Sequence, residues 1–270
     1  MAFKVTGFAA EYHEKKQEEK ETVSQVAAPK KSIVQVYFPG SGKKLAYYND
    51  LFDLHCGDLV YVDGTMEGQR GRVADISYHF KIKLSDYKRV IAVIDTDVHG
   101  RFFMAGSHFV AFEPAALPAA KARLWFLSPA KEDDDIISSN DDSSFSLEDL
   151  SGMNVTKAIA ERGYDYYAEN RVRYLCINGS HGYAIVEGSK SYEVEFEYTD
   201  GMIRNLLCNC PCTYNCKHEF AAMLQLRETL DMIAKHYAEQ YKESGYFMAV
   251  NKAILFSFAI DSKENGCFAL

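Results

Sequence analysis

No apolar run in the 270 residues approaches the eighteen or more needed to cross a membrane as a helix, and the opening MAFKVTGFAAEYHEKKQEEK lacks the apolar core of a secretory signal. A cytoplasmic protein with no membrane partner is therefore expected. Cysteine is too scarce for a disulfide scaffold: there are seven, unevenly spread, which fits a reducing compartment. The signatures of several large enzyme classes are also missing. There is no phosphate-cradling G-x-x-x-x-G-K-[ST], no G-x-G-x-x-G after a strand, no H-E-x-x-H and no G-x-S-x-G. Tryptophan occurs once, against 18 Tyr and 17 Phe, a balance that favours strands and mixed aromatic packing.

Charge is concentrated. Most of the formal charge of −8 falls in residues 131–149, which hold one Lys against eight acidic residues. The parts expected to fold are thus close to neutral, so the acidity does not exclude an anionic partner.

The pattern predicts an α+β protein with five segments. Residues 1–32, rich in Glu, Lys and Gln, read as a flexible or helical arm. Residues 33–115 read as a small β-barrel, because IVQVYF, LVYVDG, GRVADIS, KIKL and VIAVID alternate like strands and are separated by Gly, Asp and Asn. Residues 116–150, where PAALPAAKARLWFLSP, which begins at Pro114, runs into KEDDDIISSNDDSSFS, have the composition of an acidic linker. Residues 151–245 read as a zinc-binding α+β domain. It has a leading helix to about Ala168 carrying Val155, Ile159 and Tyr166, four strands (VRYLCI, YAIVEGS, SYEVEFEY, MIRNLL), and a long helix after His218 that ends near Gly245. Residues 246–270 read as a terminal β-hairpin around a Lys-Glu-Asn-Gly turn.

Four of the seven cysteines fall between positions 208 and 216. Zinc in structural sites takes four nitrogen or sulfur ligands in a tetrahedron, and two close pairs separated by a loop build one economically. Cys208-Asn209-Cys210 and Cys216-Lys217-His218 supply those pairs. The second pair is expected at a helix start, where unpaired backbone N–H groups can donate to sulfur. Cys212, in the loop between the pairs, either replaces a ligand such as His218 or is spare; its place after Pro211 favours the second. Four protein ligands leave no position open for water, so the metal is expected to be structural. Glu219, next to His218, is expected to face solvent. Asp95-Thr96-Asp97 reads as a strand-ending turn, and Cys56 with His55 would point to opposite faces of a strand.

Residues 151–227 resemble a SWIM zinc finger, whose pattern is C-x-C, a loop, then C-x-H. The resemblance is carried by Ala160, Arg162, Gly163 and Tyr166, by Tyr183-Ala184-Ile185-Val186, by Gly188-Ser189 and Tyr192, and by CKH leading into FAAML. The loop PCTYN is at or below the short end of the family pattern. Members of that family occur in bacterial Swi/Snf-class ATPases, transposase-like proteins, recombination partners and some ubiquitin-ligase kinases. The resemblance implies bound zinc and a DNA or protein partner. Residues 33–113 resemble the small β-barrel at the DNA-binding end of primosomal helicases, through GD-x-V-x-V, a glycine turn and G-x-V.

Arg70, Arg72, Lys81, Lys83, Lys88 and Arg89, interleaved with Tyr78, Phe80 and Tyr87, form the basic and aromatic pattern with which single-strand-binding barrels hold phosphates and stack bases. Lys81 and Lys83 would share a strand face, and Lys217 would add a cation beside the zinc. The sequence thus predicts a non-catalytic accessory factor with nucleic acid as partner. The alternatives are a scaffold docking a helicase, nuclease or transposase, or the front part of a larger DNA-processing enzyme.

Overall fold

The computed structural model describes residues 29–129 and 144–259. Nearly all of the expected arm, the most acidic stretch and the second half of the expected hairpin lie outside these residues. The fold is α+β, built on two antiparallel sheets.

In the first sheet are Ser32–Phe38 (β1), Lys43–Asn49 (β2), Leu59–Val62 (β3), Gly71–Ser77 (β4) and Val90–Ile94 (β5), in the order β2-β1-β4-β3-β5. Tyr48 of β2 bridges to Arg89 beside β5, and its N–H donates to the Lys88 carbonyl at 2.8 Å, so the sheet curls round on itself. Val34, Val36, Phe38, Val60, Val62, Val73 and Val90 fill the interior.

Three parts of this region differ from the sequence reading. KIKL is not a strand: β4 ends at Ser77, and residues 78–83 form an irregular connection, because β3 takes β5 as its second neighbour and leaves no partner there. Lys81 and Lys83 are exposed on that connection rather than on one strand face. Lys43–Asn49 is a strand that the pattern does not single out. Finally, Phe103–Ala105 (β6) and His108–Ala111 (β7) leave the first sheet and join the second.

The expected linker is also corrected. Ala119–Phe126 (α1) is a helix whose Ala122 and Trp125 are fully buried, and Phe145–Ser146 (β8) is an edge strand. Thereafter come Lys157–Ala168 (α2), Val172–Asn178 (β9), His181–Glu187 (β10), Ser191–Thr199 (β11), Met202–Cys208 (β12), Lys217–His236 (α3), Ala238–Ser244 (α4), Tyr246–Asn251 (β13) and Lys252–Ala259 (α5). The second sheet runs β6-β7-β13-β9-β10-β11-β12-β8. Its four central-sequence strands, β9 to β12, are those read from the sequence, with turns at Gly179, where φ is +61°, and at Asp200-Gly201.

Both faces of this sheet are covered. Val172, Leu175, Ala184, Val186, Val194 and Phe247 pack against α3 through Ala221, Ala222, Met223 and Leu226. Tyr174, Cys176, Ile185, Met248 and Val250 face the other way, onto Leu117, Trp125, Leu255 and Phe258, and Tyr61, Ala92 and Ile94 of the first sheet share that core. The two sheets therefore meet through a common apolar layer.

The expected terminal hairpin is half right. Tyr246–Asn251 is a strand, buried at every position, but the chain then turns into α5 because Asn251 caps it: its Oδ1 accepts from the N–H of Ala253 at 3.1 Å and of Ile254 at 3.4 Å. The long helix is likewise broken, at Tyr237. Its ring packs on Phe103 and Phe112, and its hydroxyl donates to the Met104 carbonyl at 2.8 Å, tying the break to β6.

His108 of β7 is wholly buried. Its Nε2 lies 2.8 Å from the Val172 carbonyl, which can only accept, so Nε2 carries the proton and Nδ1 takes the Ser107 hydroxyl at 2.9 Å. Burial holds the imidazole down to about pKa 4, against an ordinary 6.5. A folded-state pKa below the unfolded one means that, between those values, the unfolded chain binds the extra proton. Stability from this group is full above about pH 6.5 and drains as pH falls toward 4, by roughly 3 kcal/mol in all. Urea unfolding of His108→Gln over this range should show a shallower pH dependence than the wild type; parallel curves would remove the claim.

Candidate metal centre

The end of β12 and the start of α3 bring Cys208, Cys210, Cys216 and His218 together. One donor atom from each lies within 4.8 Å of all the others, and among the described residues no other such group occurs. Cys208 Sγ is 3.8 Å and Cys216 Sγ 3.6 Å from His218 Nδ1. The thiols are not paired as disulfides. These four residues are close enough to hold a metal ion. Cys212 is exposed and stands outside the group, which resolves the alternatives of the sequence in favour of the spare thiol.

The segments that carry the donors are held from outside the cluster. Asn209, between the first two cysteines, is sewn to β11: its Oδ1 accepts from the Glu193 N–H at 2.9 Å and its own N–H donates to the Glu193 carbonyl at 3.1 Å. The Glu193 carboxylate also accepts from Arg123 of α1 at 2.8 Å and from the Tyr183 hydroxyl at 2.7 Å. Cys216 is the N-cap of α3, and the Glu219 N–H donates to its sulfur. The Cys212 N–H donates to Cys210 in the same way. Such amide donors favour an ionised sulfur.

Glu219 does not face solvent as the sequence suggested. It is buried, and its carboxylate accepts from the Cys216 N–H at 2.6 Å, the reciprocal half of a capping box. Burial pushes its carboxyl up to about 7. Its Oε2 is thus engaged at the helix end.

The His218 imidazole is enclosed by aromatic rings. Tyr192 stacks on it at 4.2 Å and Tyr166 meets it edge-on at 5.5 Å, while Lys217 lies 4.5 Å over the Tyr166 ring. Gly188 makes the stack possible: a Cβ there would sit 2.9 Å from the Tyr192 ring and 3.1 Å from His218 Nε2. Gly163, which weakens the case for a helix on propensity alone, permits the close crossing of α2 and α3, since a Cβ would stand 2.8 Å from Phe220 and 3.1 Å from the Lys217 carbonyl.

The electrostatics fit a cation. Burial pushes the Cys210 thiol up to about 12, and the Cys208 hydrogen bond together with burial drives Cys216 far higher. Burial, then the Lys217 charge, holds His218 down to about 4. A neutral imidazole is a ready ligand, whereas the crowded thiols ionise only if a positive ion pays the cost of desolvation.

Several of the basic residues read from the sequence are engaged within the fold. Arg70 donates to the Trp125 carbonyl at 3.0 Å and stacks on Phe258, and Arg72 donates to the Gly57 carbonyl at 3.1 Å. Both line a cleft of about 630 Å³ between the first sheet and the β10–β11 turn. The sequence reading missed Lys190, which lines the same cleft from the opposite wall; it gave no signal because it is a lone Lys in a turn. Arg89 is engaged elsewhere, with Asp50 at 2.9 Å and over the Tyr48 ring, and Lys88 packs against Gly64. Asp95 is a turn residue as expected, its Oδ1 taking the Asp97 N–H.

A 69-residue stretch of the chain is 36% identical to a protein of Methanocaldococcus jannaschii called Uncharacterized protein MJ1493, a match that spans 26% of this chain and 29% of that protein. No family model matches the chain, and no solved structure matches it. Among the described residues, no helix is long and apolar enough to cross a membrane.

Proposed function

We propose that the chain is a zinc-binding protein of SWIM type that acts as a nucleic-acid-binding accessory factor, its zinc structural and the chain itself non-catalytic. The observation that carries the zinc reading is the closed set of three sulfurs and one imidazole nitrogen. Donors placed 2.0–2.3 Å from a tetrahedral zinc stand about 3.3–3.8 Å apart; the two sulfur–nitrogen separations to His218 are 3.6 and 3.8 Å, and all four donors lie within 4.8 Å of one another. Supporting the SWIM reading, Gly163, Tyr166, Gly188 and Tyr192, which carry the resemblance in sequence, are the residues that pack α2 on α3 and enclose His218. Four ligands leave no site for substrate or water, so the ion holds the strand end to the helix start rather than doing chemistry.

Nucleic-acid contact is supported by exposed cations on the connections of the first sheet, Arg70, Lys81, Lys83 and Lys88 among them, and by Lys217 beside His218. Elemental analysis should return about one zinc per chain, as one closed site requires. Gel shifts at rising salt should show binding that weakens steeply, because each phosphate contact releases counterions. Absence of binding at every salt would end the nucleic-acid reading. A partner that co-purifies and survives nuclease treatment would favour the scaffold in its place.

A further inference from the structure

The cleft between the two sheets is not explained by the metal centre. Its walls come from opposite units: Arg70 and Arg72 at the head of β4, and Lys190 in the β10–β11 turn. The lining is rich in glycine and serine, where backbone N–H groups can be approached closely, and its single acid, Glu187, is paired with Arg173. Three cations, Arg70, Arg72 and Lys190, thus share the lining with one acid. A volume of about 630 Å³ is of the size that takes nucleotide-sized ligands.

A second feature points to what enters. Trp125 and Phe258 stack at 4.7 Å with their planes 7° apart, and the Arg70 guanidinium lies 4.8 Å over the Phe258 ring. The hydrogen bond from Arg70 to the Trp125 carbonyl fixes the guanidinium on this column. Arg70 is exposed and lines the cleft, and guanidinium planes are where unpaired bases stack. Bases in a duplex already stack on one another and have no face to offer.

We propose that the cleft holds a single strand of nucleic acid, with phosphates against Arg72 and Lys190 and a base on the Arg70 guanidinium. This rests on the nucleic-acid reading above and places it between the units rather than on the irregular connection that carries Lys81 and Lys83. The strand would bridge both sheets, and the Lys190 wall is braced by the metal centre, because Gly188 and Tyr192 flank that turn and pack on His218.

The test is fluorescence anisotropy of the full chain with a short labelled single strand, with a duplex of the same sequence, a mononucleotide and inorganic phosphate as competitors. Lys190→Glu should weaken binding about tenfold and lower the salt slope by roughly 0.7, the share of one phosphate on a single strand. Arg70→Lys, which keeps the charge but not the plane, should also weaken binding, whereas Lys190→Arg should not. Melting temperatures of all variants, compared with wild type, separate loss of contact from loss of fold. The cleft is overturned, and the accessory-factor reading stands, if these variants bind as wild type while Lys81→Glu with Lys83→Glu abolishes binding. It is overturned equally if duplex competes as well as single strand, or if mononucleotide competes at equal nucleotide concentration. If no strand binds at any salt, both readings fall together.

Discussion

If the four residues hold zinc as proposed, serine at Cys208 or Cys216 will cost the protein that metal and a large part of its stability, with a melting temperature lower by on the order of 10 °C, as expected for a loss of several kcal/mol in a chain of this size. Serine is nearly isosteric, so packing is kept and the loss is that of a ligand. Cys216 is the more severe case. It is buried, it caps α3, and its sulfur takes the Glu219 N–H, so its replacement loosens the helix start as well as the ion. That start is the point from which Ala221, Ala222, Met223 and Leu226 are laid onto the sheet. A chelator added to wild type should reproduce the Cys208→Ser melting curve, and zinc returned afterwards should restore it. Cys212→Ser is the control: its side chain is exposed and outside the cluster, so metal content and melting should match wild type. Serine variants at Cys208 or Cys216 that keep one metal per chain and wild-type melting would refute the assignment. The damage will not stop at the metal-binding unit, because Tyr61, Ala92 and Ile94 of the first sheet are buried in the layer the second sheet supports.

The Cys/His cluster was legible because its grouping is local. Two pairs of ligands within eleven residues need only a strand end and a helix start, and both were written in the periodicity of MIRNLL and of the residues after His218. Strands β9 to β12 were legible for a similar reason, since each alternates and each turn carries Gly or Asp-Gly. What the sequence concealed was non-local. That β7, with β6 on its outer edge, pairs with β13, more than a hundred residues later, depends on which strands find each other, and short apolar runs do not encode their partners. KIKL alternates like a strand but meets no neighbour. Glu219 looked like a surface residue because its partner is a backbone N–H, which no side-chain pattern announces. Residues 115–129 were misread because Ala and Pro dominate them; the apolar Leu117, Ala122 and Trp125 that fix α1 are too few for a clear helical period.

That misreading yields the second large effect. Trp125→Ala is expected to cost about 3–5 kcal/mol, the range for removing a buried large aromatic side chain. Trp125 is fully inaccessible, stacks on Phe258 of α5, and donates from Nε1 to the Asp95 carbonyl at 2.8 Å. It thus ties α1, α5 and the end of β5 into one layer. Trp125→Phe keeps most of the ring and forfeits the hydrogen bond, so about 1–2 kcal/mol should be lost by that variant. Because this is the only Trp in the chain, urea unfolding has to be followed by circular dichroism rather than fluorescence in the variants. A linker residue would change stability by less than about 0.5 kcal/mol, and that result would show α1 to be undocked in solution. The substitution also removes the ring beneath Phe258, and with it the support of Arg70. Under conditions where the variant remains folded, it should therefore bind single strands more weakly, whereas a variant that kept full affinity would mean that Arg70 holds its place without the column below it.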